Sequence, residues 1–138
     1  LEDELVILVP TGHRLAKRDE VDLKDLTEEK WVFREKGSGT RMVTEDILSG
    51  LGLQKEDLNI QVELGSTEAV ISAVEAGMGL AMVSSCVARQ WTRYEKIVIL
   101  GIAGGVAKRD IYVIYPRQKH RRKTVNDFMD YLKTYRIE

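Results

Sequence analysis

Hydrophobic positions follow two spacings along this chain, and their alternation sets the expected architecture. Leu5-Val6-Ile7-Leu8-Val9 is a short apolar run closed by Pro10-Thr11-Gly12, the pattern of a buried strand and its turn. Asp22 caps a helical turn over Asp22 to Leu26, and Trp31-Val32-Phe33-Arg34 reads as a second strand. A Gly-rich turn then leads into a helix from about Thr40, in which Val43, Ile47, Leu48 and Leu51 share a face and Gly50 and Gly52 are stop signals. Asn59 to Leu64 alternates as a third strand. After Gly65-Ser66-Thr67, the residues Ala69, Val70, Ile71, Ala73, Val74 and Ala76 predict a largely buried helix with Gly77 at its C-terminal cap. Leu80-Ala81-Met82-Val83 is a continuous apolar strand of the kind that parallel sheets bury on both faces. Ile97 to Ile102 and Ile111 to Tyr115 are two further strands. Val125, Phe128, Met129 and Leu132 mark a final amphipathic helix behind a Thr124 cap.

Strands alternating with helices predict an α/β layer structure with a mainly parallel sheet and helices on both faces. A chain of 138 residues suits one domain, and no internal repeat or low-complexity linker divides it. With 43% apolar and 31% charged residues the chain is expected to fold, so disordered and fibrous classes are excluded. Lys and Arg number 21 against 22 Asp and Glu, which removes a global attraction to nucleic acid and leaves only local patches for a polyanion. The apolar stretches are far shorter than the roughly 20 residues that cross a bilayer, so no membrane partner is expected. The single cysteine, Cys86, and the two separated histidines, His13 and His120, offer neither an internal disulfide nor a multi-cysteine metal site, and a cytoplasmic location is the expectation. Because the chain opens on Leu-Glu-Asp and goes directly into a strand, it is expected to be a piece of something longer.

Catalytic signatures do not appear. The HExxH zinc pattern, the P-loop and the Gly-x-Ser-x-Gly elbow are missing, and Gly37-Ser38-Gly39 is an incomplete dinucleotide fingerprint with Met42 in place of the third glycine. Gly101 to Gly105 leads into a strand, not a helix start, and reads as a plain loop. Cys86 follows Ser84 and Ser85 without a base placed beside it. His13 reads as a surface-turn residue and His120 as part of a basic loop. The run Arg117, Lys119, Arg121, Arg122 and Lys123 lacks interleaved aromatics and reads as a solvated connection. No catalytic residue, metal or cofactor is expected.

Two helix starts carry more chemistry. Ser38-Gly39-Thr40-Arg41 follows the second strand and Gly65-Ser66-Thr67 the third, both on the carboxyl side where open α/β sheets bind ligands. Free amides at a helix start stabilise a carboxylate, sulfate or phosphate by about 0.3–1 kcal/mol through the dipole, before hydroxyl bonds are counted. The plain alternative is that Ser38, Thr40, Ser66 and Thr67 are ordinary caps. Arg41 lies at the unfavourable end of the dipole, which calls for a compensating carboxylate, with Glu45 one turn later the competing partner, or a bound anion.

The succession Leu5 to Pro10, His13-Arg14-Leu15-Ala16, Phe33 to Arg41, Glu63 to Val70, Val74 to Ala81 and Phe128-Met129-Asp130-Tyr131-Leu132 resembles the effector-binding (substrate-binding) domain of LysR-type transcriptional regulators, from end to end. The resemblance implies a fold like type 2 periplasmic binding proteins: two α/β lobes joined by crossing strands, with a small effector in the cleft between them. It matches only the later part of that domain, hence an incomplete two-lobed domain. By resemblance, about residues 10–108 form the second lobe, and 1–9 with 109–138 supply the crossing strands, Arg109 to Tyr115 among them, and part of the first lobe. Ser38, Gly39, Thr40 and Arg41 then form the second lobe's wall of the effector cleft, with Gly65, Ser66 and Thr67 near it. The implied partners are a small-molecule or inorganic-anion effector, DNA only through a winged helix-turn-helix absent from this chain, and further copies in a homo-oligomeric parent. Effector binding would shift the arrangement of lobes and oligomer. A solute-binding component of a transporter shares this architecture. An enzyme of related fold would need a titratable group at the cleft, for which Glu35 and Glu68 are the nearest residues.

Overall fold

The apolar run at the start of the chain becomes the central strand of the sheet. The computed structural model describes residues 1–91, 95–104, 107–115 and 122–135. Strand β1 (Glu2–Pro10) runs antiparallel to β5 (Ala81–Ser84) on one side, with Leu5 opposite Ser84 and Leu8 opposite Ala81. On its other side it is antiparallel to β6 (Ile97–Ile102), with Ile7 opposite Leu100, and at its first residues to β7 (Lys108–Asp110), with Asp3 opposite Arg109. The two-residue strand β2 (Glu20–Val21) lies parallel on β6. Strands β3 (Lys30–Arg34) and β4 (Asn59–Leu64) form a parallel pair, joined to β5 through a parallel Trp31–Leu80 bridge.

The sheet is therefore mixed, where the apolar patterning predicts a mainly parallel one. A continuous apolar strand reports burial on both faces but not the direction of its neighbour. β5 is buried along its whole length, as expected, and its partner β1 runs against it.

Helices cover both faces, as predicted. Along β1, Leu5, Ile7 and Val9 join one hydrophobic cluster with Trp31, Phe33, Leu80, Met82 and Leu48, the last from α2 (Gly39–Gly50). Val6 and Leu8 join the other with Val32, Ala81 and Val83, against Val70, Ile71 and Val74 of α3 (Thr67–Glu75) and Ala88 of α4 (Ser85–Trp91). The alternation of a strand thus splits one run between two cores, each fully buried aliphatic side chain contributing about 1.5–3 kcal/mol. Leu26 of the short α1 (Leu23–Thr27), which has Asp22 at its N-cap as the sequence predicts, is buried in the first cluster. Gly77 takes the left-handed conformation, φ 76°, just beyond α3. Gly79 is required for closeness: a Cβ there would overlap Lys30 O and lie 2.8 Å from Lys30 C.

Two expectations near the end of the chain change. The strand lies at Lys108–Asp110, and after the Ile111 N–H bond to Leu1 O (2.7 Å) residues 112–115 are described without a ladder, because no strand lies beside them among the described residues. The apolar side chains from Ile111 to Tyr115 are accordingly exposed. The final helix α5 (Lys123–Thr134) begins one residue earlier than the predicted cap, with Arg122 and not Thr124 at its N-cap position. Its amphipathic stripe is present but uncovered: Val125 and Phe128 are exposed, and Met129 and Leu132 are half-buried.

Candidate effector-binding site

Strands β3 and β4 end side by side, with Arg34 opposite Leu64, and the Glu35 N–H donates to Leu64 O (3.0 Å). Each strand feeds a helix, so α2 and α3 start on the same carboxyl edge of the sheet. Ser38 Oγ accepts from the Arg41 N–H (3.5 Å) and Ser66 Oγ from the Ala69 N–H (3.1 Å), so both serines serve as caps. The first backbone bond of α2 runs from Met42 N–H to Ser38 O, and that of α3 from Val70 N–H to Ser66 O. The amides of Gly39 and Thr40, and of Thr67 and Glu68, precede those bonds and have no intrahelical acceptor. Gly65 is exposed in the β4–α3 turn.

Of the two partners anticipated for Arg41, the structure supplies the carboxylate, twice over. Its Nε donates to Glu45 Oε1 (2.8 Å), and its Nη1 lies 2.8 Å from Glu63 Oε1 and donates to Arg34 O (2.9 Å). The guanidinium lies 5.5 Å from the Phe33 ring centroid and its side chain is only 2% exposed. Burial works against its charge, and the Glu45 and Glu63 carboxylates more than offset this, holding its pKa above the ordinary value. The same contact holds the Glu63 carboxyl below the usual range. The remaining nitrogen, Nη2, is buried without a partner among the described residues. Arg41, Thr40, Thr44, Phe33 and Arg34 line a cavity of about 10 Å³, room for one water, between α2 and the sheet.

Two arginines outside the predicted set tie these turns together. The Arg34 carbonyl accepts from Arg41 and its Nη1 donates to Thr67 Oγ1 (2.9 Å), so it links the starts of α2 and α3, while the Glu35 carboxylate bonded to its guanidinium holds its pKa above the ordinary value. An arginine ending a strand just before a ligand-side turn is a signal that the sequence offers. Arg109 of β7 places both Nε and Nη2 at 2.8 Å from Asp3 Oδ2, and its Nη1 at 3.4 Å from Thr40 Oγ1. Asp3 is buried and also accepts from Ser84 Oγ (2.7 Å). No local pattern announces this cluster, because it depends on the register of strands far apart in sequence.

Other candidates fall elsewhere. Cys86 is exposed on α4, and the His13 Nε2 lies 3.1 Å from Glu29 Oε2 while its Nδ1 accepts from the Leu15 N–H, away from both helix starts. His120, Arg117, Lys119 and Arg121 lie outside the described residues; Arg122 and Lys123 begin α5. Glu68 is exposed on the first turn of α3. Among the described residues no group of acidic, histidine or cysteine side chains is arranged to hold a metal, and no helix is long and apolar enough to cross a membrane.

Two helix starts on the carboxyl edge of a layered α/β sheet are the arrangement at which α/β domains of the ligand-binding class hold their ligands. The chain belongs to the LysR substrate binding domain family, whose description matches residues 1–136. It is 37% identical over 134 residues to the HTH-type transcriptional regulator CysL of Bacillus subtilis, covering 97% of this chain and 44% of that protein. It is 31% identical over 132 residues to the HTH-type transcriptional activator CmpR of Synechocystis, covering 96% and 42%. The chain thus spans less than half the length of these relatives. The regulatory domain of Synechocystis PCC6803 CcmR, solved in complex with 2-PG, is similar at a TM-score of 0.80 and 30% identity, over 96% of this chain and 62% of that one. The effector binding domain of QuiR, solved in complex with shikimate, has the same fold at a TM-score of 0.78 and 21% identity, over 94% and 59%. These likenesses bear out the family and the periplasmic-binding-protein-like class.

Proposed function

We propose that this chain is the effector-sensing part of a LysR-type transcriptional regulator and that it holds a small anion against the wall made by Ser38, Gly39, Thr40 and Arg41 with Gly65, Ser66 and Thr67. The observation that carries the reading is the pairing of two helix starts on adjacent strand ends, with the amides of Gly39, Thr40, Thr67 and Glu68 free of intrahelical acceptors. The similarity to a CcmR regulatory domain solved with 2-PG supports it. Within that wall Arg41 is the brace: its charge is matched by Glu45 and Glu63, and it fixes the first turn of α2 to the end of β3.

In this reading about residues 10–108 are the second lobe, and 1–9 with 109–138 are crossing strands and part of the first. The effector favours one arrangement of lobes and subunits over another and so shifts a homo-oligomeric, cytoplasmic parent between states at its promoter. DNA contact belongs to a winged helix-turn-helix elsewhere in that parent, and this chain performs no bond-making chemistry. Amide-resolved NMR of the chain during titration with sodium phosphate and sodium sulfate tests the site. Shifts focused on Gly39, Thr40, Thr67 and Glu68 are expected; a titration that leaves all four unmoved while shifting other residues, or none, overturns the assignment.

A further inference from the structure

We propose that Arg109 selects the charge of the effector: a ligand seated on the Gly39–Thr40 turn meets the Arg109 guanidinium, which accepts a carboxylate or phosphoryl group and rejects a neutral isostere. This rests on the placement of the effector at the start of α2. Of the cations near that edge, Arg34 is joined to Glu35 and Thr67, and Arg41 is enclosed by two carboxylates with 2% of its side chain exposed. Among the described residues Arg109 has one acidic partner, Asp3, and 21% of its side chain is exposed. A ligand anion beside Arg41 meets a guanidinium already matched by two carboxylates. Beside Arg109 it meets a neutral pair whose guanidinium still has N–H groups to give.

Asp3 is a positioning residue for this role. It lies directly opposite Arg109 in the β1–β7 ladder, is buried, and is itself fixed by Ser84, so the Arg109 fork is held by two contacts to Oδ2 before any ligand arrives. Preorganisation of this kind lowers the entropy cost of binding. The third nitrogen reaches Thr40 Oγ1 at 3.4 Å, long for a hydrogen bond and readily exchanged for a charged acceptor. The contact also stands at a junction. Thr40 lines the small cavity under α2, whereas Arg109, Asp3, Ser84 and Lys108 line an open concavity of about 920 Å³, large enough for a metabolite. Lys108 is already paired with Glu2. A lysine at 109 would supply a point charge but not the planar fork that grips Asp3 and an oxyanion together.

The test is amide-resolved NMR titration of the 138-residue chain with sodium phosphate at fixed ionic strength, with glycerol as the uncharged probe. The variants are Arg109→Lys and the pair Asp3→Asn with Arg109→Gln, which avoids stranding a buried carboxylate and keeps an acceptor for Ser84. The expected result is an apparent phosphate Kd at the Gly39 and Thr40 amides raised at least tenfold in the double variant and less in Arg109→Lys, with glycerol shifts equal in all three proteins. A folded double variant that binds phosphate at Gly39 and Thr40 as the unmodified chain does overturns the role of Arg109 and leaves the site standing. Should the double variant unfold, Arg109→Lys decides, and undiminished phosphate affinity there overturns the role. Phosphate that moves neither amide in the unmodified chain overturns the site itself, and the role of Arg109 with it.

Discussion

Replacing Arg41 by Met separates a brace from a direct anion receptor. Methionine keeps much of the apolar stem in contact with Phe33 but removes every polar contact of the guanidinium. The partly buried Arg34 carbonyl, which accepts from Arg41 Nη1 at 2.9 Å, is left without that donor, at a cost of about 1–2 kcal/mol. The desolvated cation over the Phe33 ring contributes up to about 2 kcal/mol. Glu45 and Glu63 are partly exposed and rehydrate, so they are left out of the sum. Arg41→Met is therefore expected to destabilise the chain by about 3 kcal/mol, or to lower its midpoint by about 10 °C at this size. Urea unfolding at neutral pH, followed by tryptophan fluorescence, measures it; Trp31 lies buried against Phe33 and reports on this region. A loss below about 1 kcal/mol together with abolished phosphate binding would refute the reasoning, because it would mean that the charge serves a ligand and not the fold.

Gly79→Ala is expected to cost about 3 kcal/mol, since the added Cβ forces β5 away from Lys30 and weakens the Leu80 N–H to Lys30 O and Val32 N–H to Leu80 O bonds, both 2.8 Å; a urea midpoint matching the parent would show that the strands part at no cost. Glu63→Gln is expected to be less stable than the parent at neutral pH, with the gap closing in acid. The Arg41 hydrogen bond holds the folded carboxyl below its ordinary value of 4.5, so its contribution is complete above that pH and is lost as the pH falls through the lower folded value. Unfolding midpoints of both proteins from about pH 7 to pH 3 check it, and a gap that widens toward acid would reverse the sign.

Local periodicity makes β1, β3, β4, β6, α2 and α3 legible in the sequence, because each carries its own turn or cap signal and each buries the face that its pattern presents. The antiparallel setting of β1 is not legible, since Val6 to Val9 would read alike beside either neighbour direction. Ile111 to Tyr115 has the composition of a strand but no neighbouring strand among the described residues, and composition alone cannot supply one. At the site, the two capping serines and the Arg41–Glu45 spacing are visible in the sequence. The Glu63 contact and the Asp3–Arg109 pair are not, because they follow from which strands lie side by side.

The position of β1 also bears on how the molecule is made. It leaves the ribosome before β5, β6 and β7, with which it pairs and whose residues lie between Ala81 and Asp110. Leu5 to Val9 must therefore wait, apolar and without these partners, until residues 81–110 have been synthesised. Closure over such separations slows folding, so nascent chains ending before Asp110 should engage a chaperone longest at this strand.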